Sequence, residues 1–187
     1  MKIKKIINNV IHEYLKENDN YAEFKGVKPY KERMNEFENS IKTFKDFDDE
    51  KIRKSLEFFG WEGFDSEEEA FKDLKDRIKF YKQMPNPSIM YRVVGVKDKK
   101  MIDIDNVGKH VTPYKWAINN EMLHMIGSED WDDEVIPYIM ELSVPLSEID
   151  IIQTIIQNLS FPNEHEVNLK NNGRGVKFIK AYKLDGY

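Results

Sequence analysis

Cysteine is absent from the 187-residue chain. Disulfides, thiolate-held zinc and a thiol nucleophile are therefore excluded. No window comes near the ~18 apolar residues of a membrane-spanning helix. The opening stretch MKIKKIINNVIHEYLKEN begins with lysines and isoleucines, as a signal peptide does. Asn8, Asn9 and His12 break its apolar run, and no small-residue cleavage site follows. The expectation is a soluble, cytoplasmic protein without a membrane partner. A surplus of positive charge is also missing. The net charge of −5 argues against a standing nucleic-acid or membrane binder, though not against a brief encounter with a nucleic acid. Internal repeats and low-complexity segments are absent too.

What is present divides into two textures. Up to residue 86 the apolar residues recur at helical spacing. Ile3, Ile6, Ile7, Val10, Ile11, Tyr14 and Leu15 form one such stripe, and Tyr30, Met34, Phe37, Ile41 and Phe44 form another. FDDEKIRKSLEFFG carries acids at its start, an apolar set of Ile52, Leu56 and Phe59, and Gly60 as a stop. SEEEAFKDLKDRIKFY opens with Ser66 and Glu69 in capping-box spacing and sets Phe71, Leu74, Ile78 and Tyr81 on one face. Here 18 basic and 19 acidic residues nearly cancel, as on solvated helix faces.

MPNPS, residues 84–88, ends the helical part, because its two prolines cannot continue the preceding helix. Strand-like segments follow. IMYRVVGV is a nearly continuous apolar run holding one arginine. VIPYIMELSV alternates through Ile136, Tyr138, Met140, Leu142 and Val144. VKFIKAYKL alternates through Val176, Phe178, Tyr182 and Leu184, with Lys180 interrupting. One helix, from about Tyr114 to Ile126, is expected among them. Helices first and strands after make an α+β class.

Three places resist a purely structural explanation. A guanidinium at Arg92, inside IMYRVVGV, needs either an exposed edge strand or an anionic partner. In GKHVTPYKW, His110 and Thr112 fall on one face of a short strand. They either lead into a helix cap or orient a neighbouring carboxylate. Glu164 and Glu166 flank His165 in SFPNEHEVNL, where a strand is about to begin. On a strand the two carboxylates share a face, and repulsion gives a sheet no benefit. His165 then points away from both, and His12 and His124 lie at no recognisable ligand spacing, so no metal site is expected.

Taken in order, residues 85–185 resemble the mono-ADP-ribosyltransferases of the arginine–serine–glutamate class, the fold of clostridial-type toxins and several bacteriophage enzymes. The elements are Tyr91-Arg92 on a strand, a Thr-containing strand, a helix, the strand ending SVPLSEID, Glu164-x-Glu166 followed by Val167 and Leu169, and the closing GRGVKFIKAY. The family's Ser-Thr-Ser strand is replaced here by His110-Val111-Thr112.

The resemblance implies a helical N-terminal lobe over residues 1–86 and an ADP-ribosyltransferase-like mixed β-sheet core over residues 87–187. It implies NAD as a substrate, with release of nicotinamide and transfer of ADP-ribose, most often to an arginine of a target protein. In those terms Glu166 stabilises the ribose cation, Glu164 handles the acceptor guanidinium, Arg92 binds NAD, and Thr112 or His110 orients Glu166. Thr112 is favoured for its hydroxyl. Phe161 would meet the target protein. A nucleic-acid acceptor and a non-catalytic NAD- or protein-binding module are the other readings.

Overall fold

The computed structural model describes residues 28–118 and 135–183. The expected helix over Ile3–Leu15, most of the one expected after Tyr114, and Leu184 lie outside these residues. The chain forms two compact units, Met1–Lys42 and Thr43–Tyr187.

In the first unit, α1 spans Tyr30–Asn39. Lys28 pairs with Glu36 and, at 3.5 Å, with Glu32. The Ser40 hydroxyl donates to Phe37 O (2.7 Å) and closes the helix. The stripe expected to run from Tyr30 to Phe44 is therefore interrupted. Thr43 N donates to the Asp46 carboxylate (2.7 Å), and this capping pair starts a separate 3-10 turn, Phe44–Asp46.

The second unit begins with this Thr43-capped turn and includes the two helices that precede MPNPS. In α2, Asp49–Phe59, the Asp48 carboxylate accepts from Lys51 N (2.8 Å), and acids fill the first turn where the helix dipole favours them. Gly60, at φ +78°, ends it in a conformation glycine adopts freely. In α3, Glu67–Gln83, Ser66 Oγ accepts from Glu69 N (3.2 Å), while the Glu69 carboxylate reaches past the cap to Asp65 N. Its buried face carries Phe71, Leu74, Ile78 and Tyr81, and also Arg77. No helix among the described residues is long and apolar enough to cross a membrane.

A three-stranded sheet follows, with β1 (Ser88–Val96), β3 (Ile136–Val144) and β5 (Lys177–Lys183) in the order β1-β3-β5. A two-stranded sheet joins β2 (His110–Val111) to β4 (Val167–Asn168). Among the described residues every strand pair is antiparallel, where the family resemblance implied a mixed sheet. Helices and antiparallel sheets together make an α+β fold with a helical N-terminal region.

The strand faces differ from simple alternation. Ile139 and Met140 are both buried, so the central strand β3 is covered on both faces, where its alternation implied one. Ile139 packs with Val93 and Ile118, flanked by Tyr91 and Tyr182. On β5 a bulge changes the phase. Phe178 pairs with Leu142 and Lys180 with Glu141, leaving Ile179 unmatched. Phe178 and Tyr182 thus face opposite ways, and Lys180 meets Glu141 at 3.3 Å.

An α-helix that periodicity had not identified, α4, spans Ile151–Ser160. The Asp150 carboxylate caps it by accepting from Gln153 N (3.1 Å). It packs on β4: Thr154 Oγ1 accepts from Asn168 N (3.0 Å), and Asp150 N donates to Asn168 O (2.8 Å).

Candidate functional site

The two sheets meet at one point, where Tyr91 and Thr112 exchange backbone hydrogen bonds of 2.8 and 2.9 Å. Where they part, a cavity of about 150 Å³ opens. A space of this size accepts one six-membered ring. Arg92, His110, Thr112, Glu164 and Glu166 all line it, over an apolar floor that includes Val93 and Ile118. Five residues singled out by their chemistry, spread across 75 positions of sequence, thus come together.

Arg92 does not point to solvent. Its Nη1 donates to His110 O (2.8 Å), while its buried Nε finds no hydrogen-bond partner among the described residues. The guanidinium lies against Gly108, where a Cβ would stand 2.5 Å from Arg92 Cζ. Gly108 also sits at φ +89°, and its N–H donates to Asn172 O (3.0 Å). Burial pulls the Arg92 pKa below its ordinary value, and the Glu166 charge opposes that. A half-buried cation with an unused N–H, held on a strand, is a ready anion anchor.

Glu166 immediately precedes β4. Burial pushes its pKa up from the ordinary carboxylate value. The charge of Glu164 acts in the same sense, while His110 and Arg92 oppose it. His110 Nδ1 lies 2.8 Å from Glu166 Oε2. That contact is close in distance but poorly aligned, because the same Nδ1 lacks a hydrogen bond of acceptable geometry.

Thr112 has a different task from the one favoured above. Its hydroxyl oxygen accepts from Tyr114 N (3.2 Å), a local cap ahead of the helical residues 115–118. The side chain paired with Glu166 is His110.

The glutamate pair sits on a turn instead of a strand. Glu164 ends a 3-10 turn, Pro162–Glu164, and His165 is left-handed at φ 48° and ψ 35°. The two carboxylates reach the same cavity through this turn, not through strand alternation. Glu164 Oε2 accepts from Gln157 Nε2 on α4 (2.7 Å). His165 turns elsewhere, edge-on to Trp116 and Tyr114 with ring centroids at 4.9 and 5.6 Å. Phe161, at the end of α4, is 54% exposed and does not line the cavity. No metal-binding group of three or more acidic or histidine side chains occurs among the described residues.

Residues not anticipated complete the arrangement. Asn158 Nδ2 donates to Glu166 O (2.9 Å) and to Thr154 O (2.7 Å), tying the turn to α4. Arg77, on the buried face of α3, reaches the same turn. The one available signal was a charge placed on an otherwise apolar helical stripe. No family model, curated protein or solved structure matches this chain.

Proposed function

We propose that the protein is an NAD-dependent mono-ADP-ribosyltransferase that modifies arginine on a protein target. The observation that carries this reading is the convergence of Arg92, His110, Glu164 and Glu166 on one ring-sized cavity. A cavity of about 150 Å³ suits the nicotinamide end of the dinucleotide, leaving the rest along the surface.

The chemistry follows from the residues. Cleaving the nicotinamide–ribose bond sends the bonding electron pair to nicotinamide and leaves positive charge on the ribose. Glu166 is a fixed carboxylate beside that charge, worth far more there than in water. Arg92 supplies a rigid donor for a phosphate or ribose oxygen. His110 braces Glu166. An arginine acceptor stays protonated in water, with a pKa above ~12. Glu164 orients its guanidinium and takes the proton as nitrogen bonds to the ribose carbon. Phe161, exposed beside the turn, offers an apolar contact to the target.

Incubation with NAD labelled in the ADP-ribose moiety, alone and with a cell lysate, tests the reading. Release of nicotinamide and protease-sensitive label are the expected results. Nuclease-sensitive label would move the acceptor to nucleic acid. Absence of nicotinamide release under both conditions would leave a binding module.

A further inference from the structure

Arg77 is a cation on the buried face of α3, only 7% exposed. A buried arginine on a helix needs a countercharge, and Asp73 one turn earlier provides it. That pairing alone would explain a purely structural residue. Arg77 does more. Its Nη1 donates to Asn158 Oδ1 (2.7 Å) and lies 3.1 Å from His165 Nδ1. Its Nη2 donates to Pro162 O (2.5 Å). One rigid fork thus grips both ends of the glutamate turn, and Asn158, gripped by the same fork, holds Glu166 O.

We propose that Arg77 is a positioning residue: it locks the turn from Pro162 to Glu166 and so sets both carboxylates against the cavity. The left-handed backbone of His165 makes such a lock necessary. A residue other than glycine adopts this conformation at a cost, and the surroundings must hold it there. The imidazole is wedged between Arg77 and the rings of Tyr114 and Trp116. With a guanidinium N–H directed at Nδ1, that nitrogen is the acceptor and Nε2 carries the proton. Burial and the Arg77 charge both lower the His165 pKa, which agrees with a neutral ring. Lysine cannot replace this fork, because its ammonium is a point donor without the planar spread of the guanidinium. Helix α3 therefore takes part in the site although it touches no cavity-lining carboxylate.

The kinetic part of the proposal rests on the transferase reading, and the structural part does not. The experiment therefore has two arms. In the first, nitrogen-15 NMR follows the His165 ring in the parent protein and in Arg77→Lys. The parent should show a neutral ring protonated on Nε2 at neutral pH, and the variant should titrate nearer the usual histidine value of ~6.5. In the second, nicotinamide release should fall roughly tenfold to a hundredfold in kcat with KM for NAD little changed, as expected for a displaced catalytic group. His165→Gly, which relieves the backbone cost but frees the turn, should show the same kinetic loss, and it serves if Arg77→Lys does not fold. An unmoved His165 resonance in Arg77→Lys overturns the lock, and so does full kcat in His165→Gly. If the parent protein releases no nicotinamide, the transferase reading fails, and the NMR arm still decides whether Arg77 holds the turn.

Discussion

His110 Nδ1 stands 2.8 Å from Glu166 Oε2, and Thr112, two residues on, uses its hydroxyl on Tyr114 N instead. The two side chains share a strand face and the same cavity but do different work. His110→Ala should therefore lower kcat for nicotinamide release by roughly tenfold to a hundredfold, because Glu166 loses its brace. Thr112→Val should lose about 1 kcal/mol of stability as a cap is removed, with kcat changed only a few-fold. Steady-state kinetics and thermal melts on both variants measure the contrast. The opposite pattern would return the bracing role to Thr112.

The raised pKa of Glu166 has two consequences for pH. The proposed reaction needs Glu166 ionised, so nicotinamide release should decline on acidification at a pH above the ordinary value of 4.5. Stability runs the other way. The folded state keeps this proton to higher pH than the unfolded chain does, so the group costs stability as pH rises from 4.5 through the folded value. Glu166→Gln should remove that cost. Its melting temperature should gain on the parent as pH rises above 4.5. Parallel melting curves above that pH would show that the carboxylate is not desolvated.

Glu164 is held from α4 by Gln157 and projects into the cavity from a different element than His110. Attack by water involves no guanidinium, whereas an arginine acceptor must give up a guanidinium proton as it bonds to the ribose. Glu164→Gln should spare NAD hydrolysis while reducing transfer to arginine by about 10² to 10⁴. Gln157→Ala should weaken transfer more mildly, because Glu164 keeps its charge but loses its orientation. Glu166→Gln should abolish both reactions, since both pass through the same ribose cation. Nicotinamide release measured alongside label on an arginine acceptor reads both quantities. An equal loss of hydrolysis and transfer in Glu164→Gln would sink the division of labour.

Local rules made α2, α3 and the strand segments legible. Asp48, Gly60, Ser66 and the prolines of MPNPS act through neighbours a few residues away, and the helix and strand limits respect them. The order of chemistry along the chain also marked Arg92, His110, Thr112, Glu164 and Glu166, though not the apolar residues that line the cavity with them. Elsewhere the deciding partner was distant. The bulge at Ile179 depends on how β5 meets β3, and no residue of VKFIKAYKL announces it. Arg77 reaches its turn across 88 positions, a contact that periodicity cannot report. Helix α4 is a different case. Asp150, followed by Ile151, Ile152, Ile155 and Ile156, carried a cap and a helical stripe, and the run of isoleucines obscured them.

Gly108 and Arg92 provide the most direct check on the geometry of the anion anchor. A methyl at Gly108 would stand 2.5 Å from Arg92 Cζ and would also force alanine to φ +89°. The backbone part of that cost is about 1–3 kcal/mol and does not depend on residue 92. The steric part exists only while the guanidinium is present. Gly108→Ala should therefore destabilise the protein more in the parent than in an Arg92→Ala background, with a coupling of about 0.5–3 kcal/mol as for other residues in direct contact. The same substitution displaces the guanidinium from His110 O, so Gly108→Ala and Arg92→Ala should each weaken NAD binding, by about tenfold for one lost charge-assisted contact. Together they should weaken it little further, because the second change removes a group already displaced. Denaturant melts give the first cycle and calorimetric titration with NAD the second. Strict additivity in both would mean that the guanidinium does not rest on Gly108 in solution.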